Sequence, residues 1–350
     1  MAGRTRVYLD HNATMPLRRE AREAMIAAMD VAGNPSSVHA EGRAAKALVE
    51  RARAQVAQAV GAQGSDVVFV SGATEAAALA LAGRGLHGAA IEHEAVRAWT
   101  REDLAVAPDG SVAIADPAAS TLQAANSETG IVQDLPEGLA VSDWTQAFGK
   151  LPMAFDWSGV GMALISAHKI GGPKGIGALI LRRGLDVEAR IRGGGQEMGR
   201  RSGTENLLGI AGFGGAAEAA LQDLESGVWD RVEKLRNILE KALEARAKET
   251  IFVGQGGPRL PNTSCIVTPG WKGETQVMQM DLAGFAISAG SACSSGKVRA
   301  SEVLTAMGLD SRAAASAIRV SLGPGTTEAE VEAFAEAWVA AYDRFRAKAA

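Results

Sequence analysis

The sequence predicts an α/β fold: a large unit built on a mainly parallel sheet sandwiched by helices, and a smaller α+β unit at the C-terminal end. Three observations carry this. Short apolar runs such as Val67-Val68-Phe69-Val70 alternate with helical patterns. The order strand, turn, helix recurs up to about residue 210, and parallel strands need such crossovers. Beyond that point the texture changes to long charged helices and scattered short strands.

Residues 17–30 and 39–60 read as amphipathic helices, the second rich in Ala, Arg and Glu. The strand at Val67 runs into Ser71-Gly72-Ala73-Thr74-Glu75 and then an alanine-rich helix. Further strands are expected at 111–115, 120–125, 139–142, 161–166 and 176–181. Residues 217–249 read as one long helix, with Val228, Val232, Leu235, Leu239 and Leu243 at helical spacing. A strand around Cys265-Ile266-Val267, a helix over 274–282 and strands at 285–288 and 317–322 follow. The last helix opens at Thr326-Thr327, with Glu330 placed for a capping box. The expected division is 14–245 for the large unit, and 1–13 with 246–350 for the small one.

Composition excludes several classes. At 350 residues and 47% hydrophobic, the chain can bury a sizeable core. A net charge of −4 without a basic patch offers no electrostatic grip on nucleic acid or an anionic membrane. Two cysteines, Cys265 and Cys293, make no disulfide framework. The start, MAGRTRVYLDHNAT, has no apolar run of a signal peptide, and no apolar stretch is long enough to span a bilayer. A cytoplasmic protein is the expectation.

Four places could carry chemistry. Met162 to Ile165 leads into Ser166-Ala167-His168-Lys169 and a glycine-rich turn, and α/β folds put ligands at the carboxyl ends of strands. A lone lysine there is ordinarily a solvated loop residue. This one directly follows a strand, and a deprotonated lysine amine can condense with a carbonyl cofactor. Lys174 competes, but Pro173 and Gly175 set it in the turn. Asp143 ends the strand at 139–142 and suits a protonated ring nitrogen. Ser71 to Glu75 exposes backbone N–H groups at a helix start, an anion site to which Thr74 adds a hydroxyl, although a plain N-cap looks the same. Cys293 sits in Ser288-Ala289-Gly290-Ser291-Ala292-Cys293-Ser294-Ser295-Gly296, a small-residue polar loop suited to a nucleophile that must move. Cys265, in an apolar strand, reads as a buried inert thiol. The five histidines match no zinc spacing, and His93 is the best placed for a site.

In order along the chain stand Tyr8-Leu9-Asp10-His11-Asn12-Ala13-Thr14, Asn34-Pro35-Ser36-Ser37-Val38-His39, SGATE at 71–75, Glu92-His93, Asn126-Ser127-Glu128-Thr129-Gly130 and Asp143-Trp144-Thr145-Gln146. SAHKIGGPKGIG at 166–177, GGGQE at 193–197, RRSGTEN at 200–206, SAGSACSS at 288–295 and IRVSLG at 318–323 complete the series. With these motifs the chain resembles, nearly end to end, the cysteine desulfurases of iron–sulfur assembly, a branch of the class V aminotransferases within the fold type I enzymes dependent on pyridoxal 5′-phosphate (PLP).

The resemblance implies roles. Lys169 would carry PLP, Asp143 would pair with its ring nitrogen, and Gln146 would bond its ring hydroxyl. His93 would stack on the ring and move protons, with Asn126 and Ser127 beside the cofactor. Ala73, Thr74, Ser166 and His168 would hold the phosphate, and Thr204 would reach the phosphate of a partner subunit, making the active unit a homodimer. Arg319 with Asn34 would clamp the carboxylate of L-cysteine, Cys293 would take its sulfur as a persulfide, and an acceptor such as an iron–sulfur scaffold protein would receive it.

The pattern departs from the family at Ser127, where a second Asn is usual, and in short stretches over 93–126 and 130–143, so a crossover helix is expected to be missing. Rival readings are a selenocysteine lyase or another PLP reaction on the same fold, a weakly active scaffold in a sulfur-transfer complex, and a hydrolase pairing Cys293 with His93 or His168. The last leaves Lys169 and the anion loop unexplained.

Overall fold

A computed structural model describes residues 6–290 and 300–349, so Cys293 lies outside the described residues. In chain order the first part runs β1 (Val7–Tyr8), α1 (Arg19–Met29), α2 (Ala40–Val60), β2 (Asp66–Val70), α3 (Ala73–Leu81), β3 (His87–Ala89), α4 (Glu94–Arg97), β4 (Arg101–Leu104), β5 (Val141–Asp143), β6 (Met162–Ser166) and β7 (Gly177–Leu181). The second runs α5 (Leu207–Glu225), α6 (Val228–Glu244), β8 (Ile251–Phe252), β9 (Thr263–Val267), α7 (Gly273–Leu282), β10 (Phe285–Ala286), β11 (Ser288–Ala289), α8 (Glu302–Ala306), α9 (Ser311–Ala314), β12 (Ala317–Ser321) and α10 (Glu328–Ala349).

The first sheet has the order β2-β7-β6-β5. Parallel bridges from Val141 to Thr121 and from Ser120 to His87 extend it to the β3–β4 pair. Every contact is parallel except the two made by β7, which runs against both β2 and β6. The exception has a local cause: only residues 167–176 join β6 to β7, too few for a crossover. Side chains alternate across the sheet. Val67 and Phe69 pack with Val56 of α2 and Phe213 of α5, while Val68 and Val70 pack with Leu79 and Leu81 of α3. Glycines let α5 sit tight on its neighbours: a Cβ on Gly214 would lie 2.9 Å from Ala52 Cα.

Around the second sheet, β11-β12-β9-β8, all pairings are antiparallel. Val232, Leu235 and Leu239 of α6 and Phe334 and Trp338 of α10 fill its core with Ile266 and Ile318. The N-terminal arm joins the two parts. β1 pairs with β10, His11 N–H donates to Ser321 O at 3.1 Å, and the chain then delivers Asn12 to Thr14 to the first sheet.

Several expectations change. The helix expected over 217–249 is two, parted by Gly227 at φ 72°. Residues 120–125 and 111–115 make only isolated bridges, and 285–288 is split into β10 and β11. The capping box of α10 forms as expected, with Thr327 N–H donating to Glu330 Oε2 at 2.8 Å and Glu330 N–H to Thr327 Oγ1 at 3.3 Å. Between β4 and β5 a single 3₁₀ turn at Pro117–Ala119 stands where a crossover helix was expected to be missing.

Candidate active site

A cleft of about 690 Å³ opens at the carboxyl ends of β5 and β6 and the N-terminus of α3, where open α/β sheets place ligands. It is lined by Ala73, Thr74, His93, Ser127, Asp143, Gln146, Ser166, His168, Lys169 and Arg319, together with Lys174. These come from distant segments. Strand β6 delivers Ser166, and the 3₁₀ turn Ala167–Lys169 swings Lys169 into the cleft. Strand β5 ends in Asp143, whose Oδ1 accepts Thr145 N–H at 2.8 Å. His93 caps the short α4, its Nδ1 accepting from Ala95 N–H at 3.1 Å.

Three expected residues stand apart. Asn126 is buried but outside the cleft lining, its amide already engaged at both ends: Nδ2 donates to Ile91 O at 3.0 Å, and Oδ1 accepts Glu128 N–H and Thr129 N–H of its own turn, each at 2.9 Å. Asn34 is exposed, and its Oδ1 accepts Ser36 N–H at 2.9 Å. Thr204 is exposed and also does not line the cleft.

Lys169 Nζ donates to the backbone carbonyls of Asn12 at 2.6 Å and Ala13 at 2.9 Å. Lys150, wholly buried, donates to Gln146 Oε1 at 2.7 Å and Asn12 Oδ1 at 3.2 Å. Burial, with Lys169 and Arg319 nearby, holds its amine well below the usual lysine range. His168 is pushed down to about 4 by burial and by Lys169, Lys174 and Lys150, so its ring is neutral at pH 7, with Nδ1 3.2 Å from Thr14 Oγ1. Burial and then the charge of Asp143 push Glu92 up to about 8. Its Oε1 accepts Gln123 N–H at 2.6 Å, and its Oε2 has no hydrogen-bond partner. Arg319 donates from Nη2 to Asp10 Oδ1 at 2.8 Å and from Nη1 to Ser127 O at 3.1 Å.

Asn12, Gln123 and Thr145 also line the cleft, and Lys150 stands directly behind it. Sequence reasoning gave none of them a role. Asn12 lay within a quoted motif, and Lys150 follows Gln146 by four residues, a spacing that brings side chains together on a helical turn.

The sequence matches the model of the family described as aminotransferase class V over residues 7–99 and 112–334. The chain belongs to the class V aminotransferase family. Within it, the chain is 39% identical to a cysteine desulfurase of Cereibacter sphaeroides, over 98% of this chain and 97% of that protein. It is 35% identical to an IscS-like cysteine desulfurase of Mycobacterium tuberculosis, over 97% of each. Among solved structures, a NifS-like protein of Rickettsia africae superposes with a TM-score of 0.86 at 33% identity, covering 97% of this chain and 99% of that one. SspA in complex with cysteine superposes at 0.76 and 26% identity, covering 92% of this chain and 100% of that one. The family match breaks over 100–111, the segment holding all of β4 and the following turn.

Proposed function

We propose that this class V family member is a cysteine desulfurase that moves the sulfur of free L-cysteine onto Cys293 and releases L-alanine. The observation that carries the reading is Lys169, its amine held in the same cleft as Asp143, Thr74, Ser166 and His168.

The cleft fits PLP. The start of α3 has no side-chain cap, and a Cβ on Gly72 would meet nothing within 4 Å, so the backbone there is open to a phosphate. Thr145 Oγ1, in the same cleft, is buried without a hydrogen-bond partner. Ala73 and Thr74 with Ser166 and His168 would hold the phosphate, Asp143 the ring nitrogen, and Gln146 the ring hydroxyl. His93 would stack on the ring, beside Ser127. Bound there, PLP supplies an electron sink for the substrate Cα.

The chain's own residues do the rest. Arg319, which lines the cleft, orients the substrate carboxylate, and Asn34, which does not line it, is left without that role. The Lys169 amine takes the Cα proton. The Cys293 thiolate attacks the substrate sulfur, forming the S–S bond as the C–S bond breaks. The electron pair of that bond goes to Cβ, which takes up a proton, and return of a proton to Cα gives alanine. The persulfide then passes to an acceptor such as an iron–sulfur scaffold protein.

Thr204 would complete the phosphate site of a second subunit, so the active unit is a homodimer. Units 14–245 and 1–13 with 246–350 would then work together through α6, whose apolar face packs in the second core. The protein would act in the cytoplasm; among the described residues no helix is long and apolar enough to cross a membrane.

The test is to load the protein with PLP, add L-cysteine and reductant, and assay alanine and sulfide for wild type, Cys293→Ala and Lys169→Ala. Wild type should make both products, Cys293→Ala no sulfide, and Lys169→Ala neither. A wild type that makes neither removes the reading.

A further inference from the structure

Lys150 has no part in the chemistry above, yet it lies wholly inside the protein against a cleft residue. An apolar side chain of the same length would avoid the desolvation cost of a buried amine. The reason for a lysine is in its partners. Gln146 carries one acceptor oxygen and one two-proton donor. Lys150 Nζ donates to that oxygen at 2.7 Å, and the donor end turns the other way, with Nε2 giving one proton to Asn12 O at 3.0 Å. The flipped amide would set its N–H groups against the Lys150 donors and its oxygen against the Asn12 carbonyl, two repulsions in place of two bonds. A neutral amine would spend its two N–H groups on Gln146 Oε1 and Asn12 Oδ1, and in either charge state the flipped amide would still set its oxygen against the Asn12 carbonyl, so the assignment holds for both.

The same contact steadies Lys169. Asn12 O accepts both Gln146 Nε2 and Lys169 Nζ, the latter at 2.6 Å. Asn12 Oδ1 accepts Lys150 and Asn262 Nδ2, at 3.2 and 3.0 Å, while Asn12 Nδ2 donates to Thr263 Oγ1 at 2.8 Å. Lys150 thus holds the Gln146 amide and the backbone carbonyl that receives the Lys169 amine.

We infer that Lys150 is a positioning residue that fixes Gln146 with its second N–H facing the cleft, so that this glutamine acts there only as a donor to an oxygen anion. The inference rests on the PLP site proposed above, where that oxygen is the ring hydroxyl oxygen of the cofactor.

The experiment compares full-length wild type, Lys150→Met, Gln146→Ala and the double variant, each purified without cofactor and titrated with PLP. The readouts are the visible absorbance maximum and the dissociation constant, with thermal melting of the cofactor-free proteins as the control for fold. Lys150→Met should shift the band in the same direction as Gln146→Ala and weaken PLP binding roughly five- to tenfold, the loss of one buried hydrogen bond. In the Gln146→Ala background the same change should have clearly less effect than in wild type, since only the Asn12 contact is then left to lose. A Lys150→Met protein with wild-type band and affinity, or effects that add in full, overturns the inference. Should Lys150→Met not fold, Gln146→Glu decides the point. Lys150 would keep that glutamate ionised and leave the cleft without its donor, shifting the band; a wild-type band overturns the inference. A wild type that takes up no PLP fails the functional proposal itself, a result distinct from all of these.

Discussion

Arg319 and Asp10 form an ion pair between β12 and the N-terminal arm, with Nη2 donating to Oδ1 at 2.8 Å and the guanidinium buried. Ser288 Oγ donates to the other Asp10 oxygen at 2.8 Å. The arm, the second sheet and the cleft therefore meet at one buried charge. Removing one partner of such a pair strands the other, at a cost of about 3–5 kcal/mol. Asp10→Ala should lower unfolding stability by about that amount in urea, while Asp10→Asn, which keeps an acceptor oxygen, should lose clearly less. Equal losses for the two, or none, would count against this account of the pair.

A second buried pair supports the turn that closes the GGGQE motif. Glu197 lies at φ 49° and Met198 at φ 58°, a left-handed stretch unusual without glycine. Glu197 accepts Arg53 Nη1 at 2.8 Å, Arg53 Nη2 at 3.0 Å and Phe69 N–H at 2.9 Å. Those bonds hold the strained turn against α2 and β2. Glu197→Ala should cost about 3–5 kcal/mol, whereas Met198→Gly, which relaxes a positive φ at an exposed position, should be neutral or stabilising by up to about 1 kcal/mol. A destabilised Met198→Gly in the same urea series would contradict the strain argument.

The pH dependence of the cofactor-free protein should show two opposing limbs. Burial lowers His11 and His168 from 6.5 to about 4 each. Between those values the unfolded chain binds more protons, so this part of the stability is present above about pH 6.5 and is lost as pH falls toward 4. Burial raises Glu92 and Glu128 from 4.5 to about 8 and about 7. Here the folded state holds the extra protons, so their contribution is full below about pH 4.5 and disappears as pH rises through 7 and 8. Glu92→Gln cannot titrate, and its melting temperature should fall less than that of wild type between about pH 6 and 9. Superimposable melting profiles would refute the assignment.

Cys265 should be chemically silent. It lies wholly inside β9, and burial, with the Glu128 charge adding to it, pushes its thiol far above the usual range. Because the sequence holds only one other cysteine, folded Cys293→Ser protein should take up no iodoacetamide, and unfolding it in denaturant should expose one reactive thiol. Labelling of the folded variant would show that Cys265 is reachable.

The legible parts of this protein were those written as local pattern. Lys169 and Asp143 stood at the ends of apolar strands, where α/β folds put ligands, and the structure sets both in one cleft. The capping box of α10 was equally local. Direction and partnership were less visible. The reversal of β7 follows from a connection too short for a crossover, which apolar periodicity does not register. The apolar spacing from Val228 to Leu243 begins just after Gly227 and marks α6 alone, so it does not register the break. Asn126 carried the right residue type for a ligand, and the fold engages its amide at both ends. Lys150 drew no role because sequence alone does not reveal that a charged residue is wholly buried.

The central claim is transfer of cysteine sulfur to Cys293, and mass spectrometry of the protein after a single turnover tests it most directly. Protein loaded with PLP and given one equivalent of L-cysteine without reductant should gain one sulfur atom on the peptide carrying Cys293. Alanine should appear in equal amount, and Lys169→Ala should show neither change. Alanine formed with no sulfur on Cys293, or Cys293 sulfur acquired equally by Lys169→Ala, would contradict the account.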